Sequence, residues 1–251
     1  MQQRIQAALV GLVLACGVGG CGGRIVTLLE PAARQETPHV SAQPLVDGLK
    51  AFDRKDYTAA VKLFRLAAEQ GDDFAQGMLG VMYADGQGVP QDSAEAVKWY
   101  RLAAAQGDAL AQFNLGAMYD QGKGVSQDYT EAAKWYRLAA AQGLASAQGT
   151  LGFMYAKGHG MPQDYAEAVK WYRLAAARGN ATVQNSLGFM YAEGQGVSQD
   201  FVQAHMWFNL AAAQGNANAT KNRDLAATKM TPAQIAEAQR LAREWKPTPA
   251  K

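Results

Sequence analysis

Residues 108–143 read DALAQFNLGAMYDQGKGVSQDYTEAAKWYRLAAAQG, and this pattern recurs at a step of 36 residues through most of the 251-residue chain. Tryptophan, tyrosine and glycine positions share the step and a single phase. The series are Trp99, Trp135, Trp171 and Trp207; Tyr83, Tyr119, Tyr155 and Tyr191; Gly80, Gly116, Gly152 and Gly188; Gly86, Gly122, Gly158 and Gly194; and Gly71, Gly107, Gly143, Gly179 and Gly215. Self-similarity of this kind predicts stacked repeats, because one unit is too small to bury its own apolar face.

Each repeat contains two helical patterns separated by glycine turns. Ala111, Leu115 and Met118 fall at i, i+4 and i+7, which is one face of a helix. The segment Gly-x-Gly-Val/Met-x-Gln-Asp then ends that helix and begins the next. We expect its first glycine to adopt the left-handed conformation and its Asp to cap the second helix. The Glu or Gln three residues later predicts an arrangement like a capping box.

Glycines inside the first helix of each repeat indicate a close contact between helices. Glycine in a helix interior costs about 1 kcal/mol relative to alanine, so four glycines in register predict close approach of a neighbour. We expect that neighbour to be the Trp-Tyr pair of the second helix. The predicted layout is a divergent hairpin at 45–71, repeats at 72–107, 108–143, 144–179 and 180–215, and capping helices at 216–246.

The N-terminus has the pattern of an export signal. Arg4 precedes an apolar run that is too short to span a bilayer, and small residues follow it, so residues 1–20 predict a signal peptide. Val18-Gly19-Gly20-Cys21 resembles the lipobox of bacterial lipoproteins, which implies acylation of Cys21. Cys16 is a second candidate lipid site, and an ordinary secretory signal is the competing interpretation. Residues 21–44 are interpreted as a flexible tether.

The repeat motif resembles that of the Sel-one-like repeat (SLR) family, a relative of the tetratricopeptide repeat. The matching pattern is Ala-Gln-x-x-Leu-Gly-x-Met-Tyr, then Gly-x-Gly-Val, then Trp-Tyr-x-x-Ala-Ala-x-Gln-Gly. The resemblance implies an all-α fold, a right-handed α-solenoid of 36-residue helix–turn–helix repeats that acts as an adaptor between proteins. Bacterial examples are often exported and serve envelope assembly, polysaccharide export, signalling or host contact. We therefore expect a scaffold in a bacterial envelope complex, facing the periplasm from the outer membrane.

Little in the sequence indicates catalysis, and no catalytic residue, metal site or cofactor is predicted. The formal charge of +2 offers no concentrated basic groove for nucleic acid, and no cysteine follows Cys21. Asp92, Asp128, Asp164 and Asp200 each have a sufficient role as helix caps. His159 and His205 lack an accompanying nucleophile. The chain also lacks Gly-x-Ser-x-Gly and Ser-x-x-Lys motifs, which leaves a β-lactamase-like enzyme as a remote alternative.

A basic series on the second helices raises a further alternative. Lys98, Lys134 and Lys170 recur at the repeat step, each preceded three residues earlier by a glutamate that should partly neutralise it. A solvated outer face is the simplest interpretation of this series. Polysaccharide or peptidoglycan binding is the second functional hypothesis, and it predicts a wall of exposed aromatic side chains.

First-helix positions that differ between repeats are free to specify a partner. In solenoids the concave surface is the usual binding face, and the first helices should line it. A protein or peptide segment is therefore predicted to contact three phenylalanines, with polar contacts from four neighbours. These residues are Phe113, Phe153, Phe189, Asn114, Gln121, Lys157 and Asn185. The competing interpretation is that the phenylalanines pack between helices.

Overall fold

The computed structural model describes residues 42–248, and this part of the chain consists of twelve α-helices without a strand. The helices are α1 (Ala42–Asp53), α2 (Tyr57–Glu69), α3 (Asp73–Asp85), α4 (Ser93–Ala105), α5 (Ala109–Gln121), α6 (Tyr129–Ala141), α7 (Ala145–Lys157), α8 (Tyr165–Ala177), α9 (Ala181–Glu193), α10 (Phe201–Ala213), α11 (Ala217–Ala227) and α12 (Pro232–Glu244). Odd-numbered helices are called first helices below, and even-numbered ones second helices. The predicted all-α solenoid of helix–turn–helix repeats is confirmed. The predicted signal peptide, Cys21, Cys16 and nearly all of the tether lie outside the described residues.

The glycine turn between the two helices of a repeat forms as predicted. Gly122 has φ of 64° and donates its N–H to the carbonyl of Met118, closing α5. Asp128 then accepts hydrogen bonds from the N–H groups of Thr130 and Glu131 at 2.9 and 3.0 Å. The left-handed glycine and the aspartate cap therefore satisfy helix-end groups that would otherwise have no partner.

The predicted capping box at the start of the second helices is wrong. The backbone N–H of Asp92 donates to the carbonyl of Tyr83 at 2.9 Å, so it is not available to the carboxylate of Glu95. Glu95 instead accepts a hydrogen bond from Lys98 Nζ at 2.7 Å. The same backbone bond closes the turns that precede the later second helices, at Asp128, Asp164 and Asp200.

The interior glycines admit an aromatic ring, as expected, but only one residue of the Trp-Tyr pair occupies the space. A Cβ atom placed on Gly152 would lie 2.6 Å from Cδ1 of Tyr172, and one on Gly188 would lie 2.7 Å from Cδ1 of Phe208. Trp99 packs elsewhere, against an apolar cluster that α1, α2 and α3 form together. The ring next to the glycine therefore joins the two helices of one repeat.

Successive hairpins also touch through the second glycine of each turn. A Cβ atom on Gly88 would lie 2.4 Å from the carbonyl carbon and oxygen of Tyr57, and one on Gly196 would lie 2.1 Å from the carbonyl oxygen of Tyr165. Both glycines have positive φ, of 73° and 70°. The turn of one repeat therefore rests on the backbone at the start of the preceding second helix, where no side chain fits.

The chain divides into two compact units, and the division falls between Trp135 and Tyr136 within α6. Each unit has a core of alanines, large apolar side chains and methionines from successive hairpins. Methionines that recur at the repeat step are buried, namely Met82, Met118, Met154 and Met190.

The last two helices complete the second unit. α12 packs against α10. Met206 of α10, which occupies the repeat position of the exposed Lys170, is buried. After α12, Trp245 meets Trp207 edge to face at 6.3 Å, and the N–H of Thr248 donates to the carbonyl of Ala177 at 2.7 Å. The C-terminal segment is thus held against α8 and α10.

Candidate partner-binding surface

The seven residues predicted to contact a partner all lie on first helices, but at different depths. Phe113 and Asn114 are only 8% and 3% exposed, so they offer little surface to a partner. Gln121 and Lys157 are exposed at the ends of α5 and α7. In the second unit, Gly149 occupies the repeat position of Phe113, and a Cβ atom placed on it would lie 2.7 Å from Cγ2 of Val183 in α9.

Phe153 is half-buried in the second unit. Its side chain packs against the core cluster that contains Tyr172, Leu187 and Met190. Its ring also meets the imidazole of His159 edge to face, with centroids 5.7 Å apart and planes at 89°. Phe153 therefore packs against the core and also leaves part of its side chain exposed on α7.

Asn185 is half-buried and does not act alone. Its side-chain carbonyl oxygen accepts a hydrogen bond from Nδ2 of Asn222 at 2.9 Å, which joins α9 to α11. Sequence analysis missed Asn222, although it has the repeat position of Asn114, one of the predicted polar contacts. This bond brings the two first helices side by side.

Phe189 is the most exposed of the three predicted phenylalanines, at 46%. Leu225, one repeat later on α11, is 66% exposed and was not predicted. It belongs to the series Val81, Ala117, Phe153 and Phe189, and extending that series by one more step would have found it. Phe153, Phe189 and Leu225 are called the apolar row below.

The basic series on the second helices is neutralised, as predicted. Lys134 Nζ lies 2.6 Å from a carboxylate oxygen of Glu131, and Lys98 and Lys170 make the corresponding pairs with Glu95 and Glu167. These pairs raise the pKa of each lysine, chiefly through the hydrogen bond to the carboxylate. The neighbouring arginines also have partners. Nη2 of Arg101 donates to the hydroxyl of Tyr119 at 2.7 Å, and Arg173 bonds Tyr191 at the same distance.

The described residues form no grouping of three or more His, Cys, Asp or Glu side chains that could hold a metal ion. Burial raises the pKa of the Tyr172 hydroxyl to about 12 and lowers the pKa of His205. Tyr172 therefore stays protonated and His205 stays neutral near pH 7. Among residues 42–248, no helix has the length and apolar content needed to cross a membrane.

Comparison with known proteins agrees with this architecture. The Sel1 repeat family matches residues 47–72, 73–108, 109–144, 145–180 and 181–216. The first of these coincides with the hairpin interpreted above as divergent. No curated protein matches the chain.

Two solved structures are similar over most of the chain. A Sel1 repeat protein from Oxalobacter formigenes is 31% identical, with a TM-score of 0.70, over 81% of this chain and 83% of that one. The structure of c5321, a protective antigen of uropathogenic Escherichia coli strains with an SLR fold, is 37% identical, with a TM-score of 0.72. That match covers 80% of this chain and 45% of the E. coli protein, so the chain spans less than half of that relative.

The fold and surface define an all-α repeat protein built from stacked helical hairpins. The chain belongs to the Sel1 repeat family. This fold typically mediates interactions between proteins, and members of the family are in general scaffolds without enzymatic activity.

Proposed function

We propose that the chain is an exported, lipid-anchored adaptor that binds another protein through its first helices, and so helps to assemble or regulate a complex of the bacterial cell envelope. The observation that carries this proposal is the exposure of Phe189, a large aromatic side chain at a first-helix position that varies between repeats. Aromatic side chains of this kind are enriched among residues that dominate binding energy.

The envelope location follows from the N-terminal pattern. An apolar run followed by Val18-Gly19-Gly20-Cys21 supports export and acylation of Cys21, and residues 21–44 would serve as the tether. The similar E. coli protein is a protective antigen, which accords with an exported location. Labelling with a clickable palmitate analogue tests the anchor. Cys21→Ser should abolish the label and release the protein from membranes, whereas retained labelling would point to Cys16.

Polysaccharide binding is the weaker alternative. It calls for a wall of exposed aromatic side chains. Among the large apolar side chains that are exposed in residues 42–248, only Tyr129 and Phe189 are aromatic, and they belong to different units. The Lys–Glu pairing of the second helices also leaves little free positive charge there for an anionic polymer.

Crosslinking and affinity capture from membranes of the native host test the adaptor function. The wild type is compared with Phe153→Ala plus Phe189→Ala and with Leu174→Ala. Leu174 is 50% exposed on a second helix of the same unit, so it serves as a matched control. An envelope protein that is lost only in the double variant, with helical circular dichroism intact, supports the proposal. Capture of no protein, or equal capture by all three, contradicts it.

A nitrocefin assay addresses the enzymatic alternative. We expect no turnover above background by the purified chain. Turnover that disappears with substitution of one serine would overturn the assignment as a scaffold.

A further inference from the structure

The apolar row lies on three adjacent first helices of the second unit. Two contacts bring these helices together, and both lie one to two helical turns before the row. The close approach of Gly149 to Val183 joins α7 to α9, and the hydrogen bond between Asn222 and Asn185 joins α9 to α11. Phe153, Phe189 and Leu225 therefore lie side by side, one from each helix.

Exposure increases along the row, because Phe153 is half-buried, Phe189 is 46% exposed and Leu225 is 66% exposed. Phe153 packs on the core cluster of the unit. The side chains of Phe189 and Leu225 form an apolar surface that is exposed to solvent.

Unpaired cations border this surface. Lys157 and Lys229 lie one turn beyond Phe153 and Leu225, and Lys221 lies one turn before Leu225. All three lysines are exposed. Among the described residues, none of them has an ion-pair partner within 4 Å. Lys98, Lys134 and Lys170 on the second helices, by contrast, each have a glutamate. Glu193 is the one acidic residue in the corresponding border of α9.

The first helices of the other unit carry the opposite charge. α1, α3 and α5 contain five aspartates and one lysine, namely Asp47, Asp53, Asp73, Asp85, Asp120 and Lys50. At the positions of Phe153 and Phe189, this unit has the buried Val81 and the small Ala117. Its first-helix surface therefore lacks both the exposed large apolar side chains and the excess of cations.

We propose that the first helices of the second unit bind an acidic amphipathic segment of a partner protein, with apolar side chains over the apolar row and carboxylates next to Lys157, Lys221 and Lys229. This inference rests on the proposed function and names the class of partner. Burial of Phe189 and Leu225 supplies the affinity, because desolvated large apolar side chains dominate interface energetics. The lysines select acidic flanks and accelerate association, as complementary charges do at protein interfaces.

A phage-displayed library of random peptides, each about 12 residues long, tests the proposal against the immobilised full chain. We expect enriched peptides to combine several large apolar residues with a net negative charge. Fluorescence polarisation of the strongest labelled peptide then compares variants. Phe189→Ser plus Leu225→Ser should weaken binding about tenfold or more, as expected for loss of central apolar contacts. Lys157→Glu plus Lys229→Glu should weaken it about threefold to tenfold and reduce its salt dependence.

Leu174→Ser is the matched control, and it should bind as the wild type does. All substituted side chains in the first variant are exposed, so circular dichroism should show an unchanged fold. Enriched peptides that are neutral or basic, or that bind the Phe189→Ser plus Leu225→Ser variant as tightly as the wild type, would overturn this inference while leaving the adaptor function standing. Failure of both the selection and the membrane capture would overturn both. Concentration-dependent dimerisation abolished by the same double variant would overturn it in favour of a second copy of the chain.

Discussion

A Cβ atom placed on Gly80 would lie 2.5 Å from Cδ1 of Tyr100, whereas one placed on Gly77 would meet no atom within 4 Å. Both glycines lie in α3, one turn apart, and both have ordinary helical backbone. They differ only in what they face. Gly80 admits the ring of the following second helix, and Gly77 leaves open space.

Alanine at these two positions should have opposite effects on stability. Gly80→Ala should lower the free energy of unfolding by about 1–3 kcal/mol, because the added methyl group forces the buried ring of Tyr100 to move. Gly77→Ala should raise it by about 0.5–1 kcal/mol, through better helix propensity alone. Urea denaturation followed by circular dichroism measures both. Stabilisation by both substitutions would show that the ring can shift at no cost.

The repeat pattern predicted the interior glycines because it recurs in register and each copy has the same neighbour. It could not rank the phenylalanines, because depth depends on what the adjacent first helix contributes. Phe113 is buried, whereas Phe189, whose position lies one turn further along the repeat, remains exposed. Leu225 and Asn222 were missed because the repeat motif fades in α11, although the positional step still reaches both residues.

A buried glutamine recurs at the same position of the first helices, and in two repeats its side-chain oxygen has a hydrogen-bond donor. Gln76 and Gln184 donate to backbone carbonyls of the preceding helix, and their side-chain oxygens accept from Gln106 and Gln214 at 2.9 and 2.8 Å. Gln148 makes the same backbone bond, but its buried oxygen has no partner. The residue at the position of Gln106 and Gln214 is here Arg178.

Arg178→Gln should therefore supply a donor to the side-chain oxygen of Gln148 and stabilise the second unit by about 0.5–1.5 kcal/mol. This is the usual net contribution of an intramolecular hydrogen bond to stability. The reverse exchange, Gln214→Arg, should destabilise it, because the oxygen of Gln184 would lose its donor. Thermal denaturation of both variants decides the matter. A Tm that falls with Arg178→Gln would mean that the arginine stabilises the unit through other contacts.

His205 should make the second unit sensitive to mild acid. It is buried at a position where α4 and α8 carry Val97 and Val169, and burial is the largest factor lowering its pKa from 6.5, followed by the charge of Arg223. The neutral form is therefore favoured in the folded state. The contribution of neutral His205 to the free energy of unfolding is fully present above pH 6.5. It is lost as the pH falls from 6.5 through the lower pKa that His205 has in the folded state. His205→Val should remove this loss, as measured by urea denaturation at a series of pH values. An unchanged pH profile in the variant would assign the effect to other groups.

Trp245 should stabilise the end of the second unit through its contact with Trp207. The rings meet edge to face at 6.3 Å, and Trp245 also lies 3.9 Å from the position of a Cβ atom on Gly179. Trp245→Ala removes both contacts and should lower the free energy of unfolding by about 1–2 kcal/mol, since an aromatic pair contributes beyond its buried area. It should also shift the remaining tryptophan emission to longer wavelength as Trp207 gains solvent. Trp245→Phe keeps a ring edge against Trp207 and should retain most of the stability. If Trp245→Ala unfolds at the same urea concentration as the wild type, with unchanged emission, the segment after α12 is not held against α10 in solution.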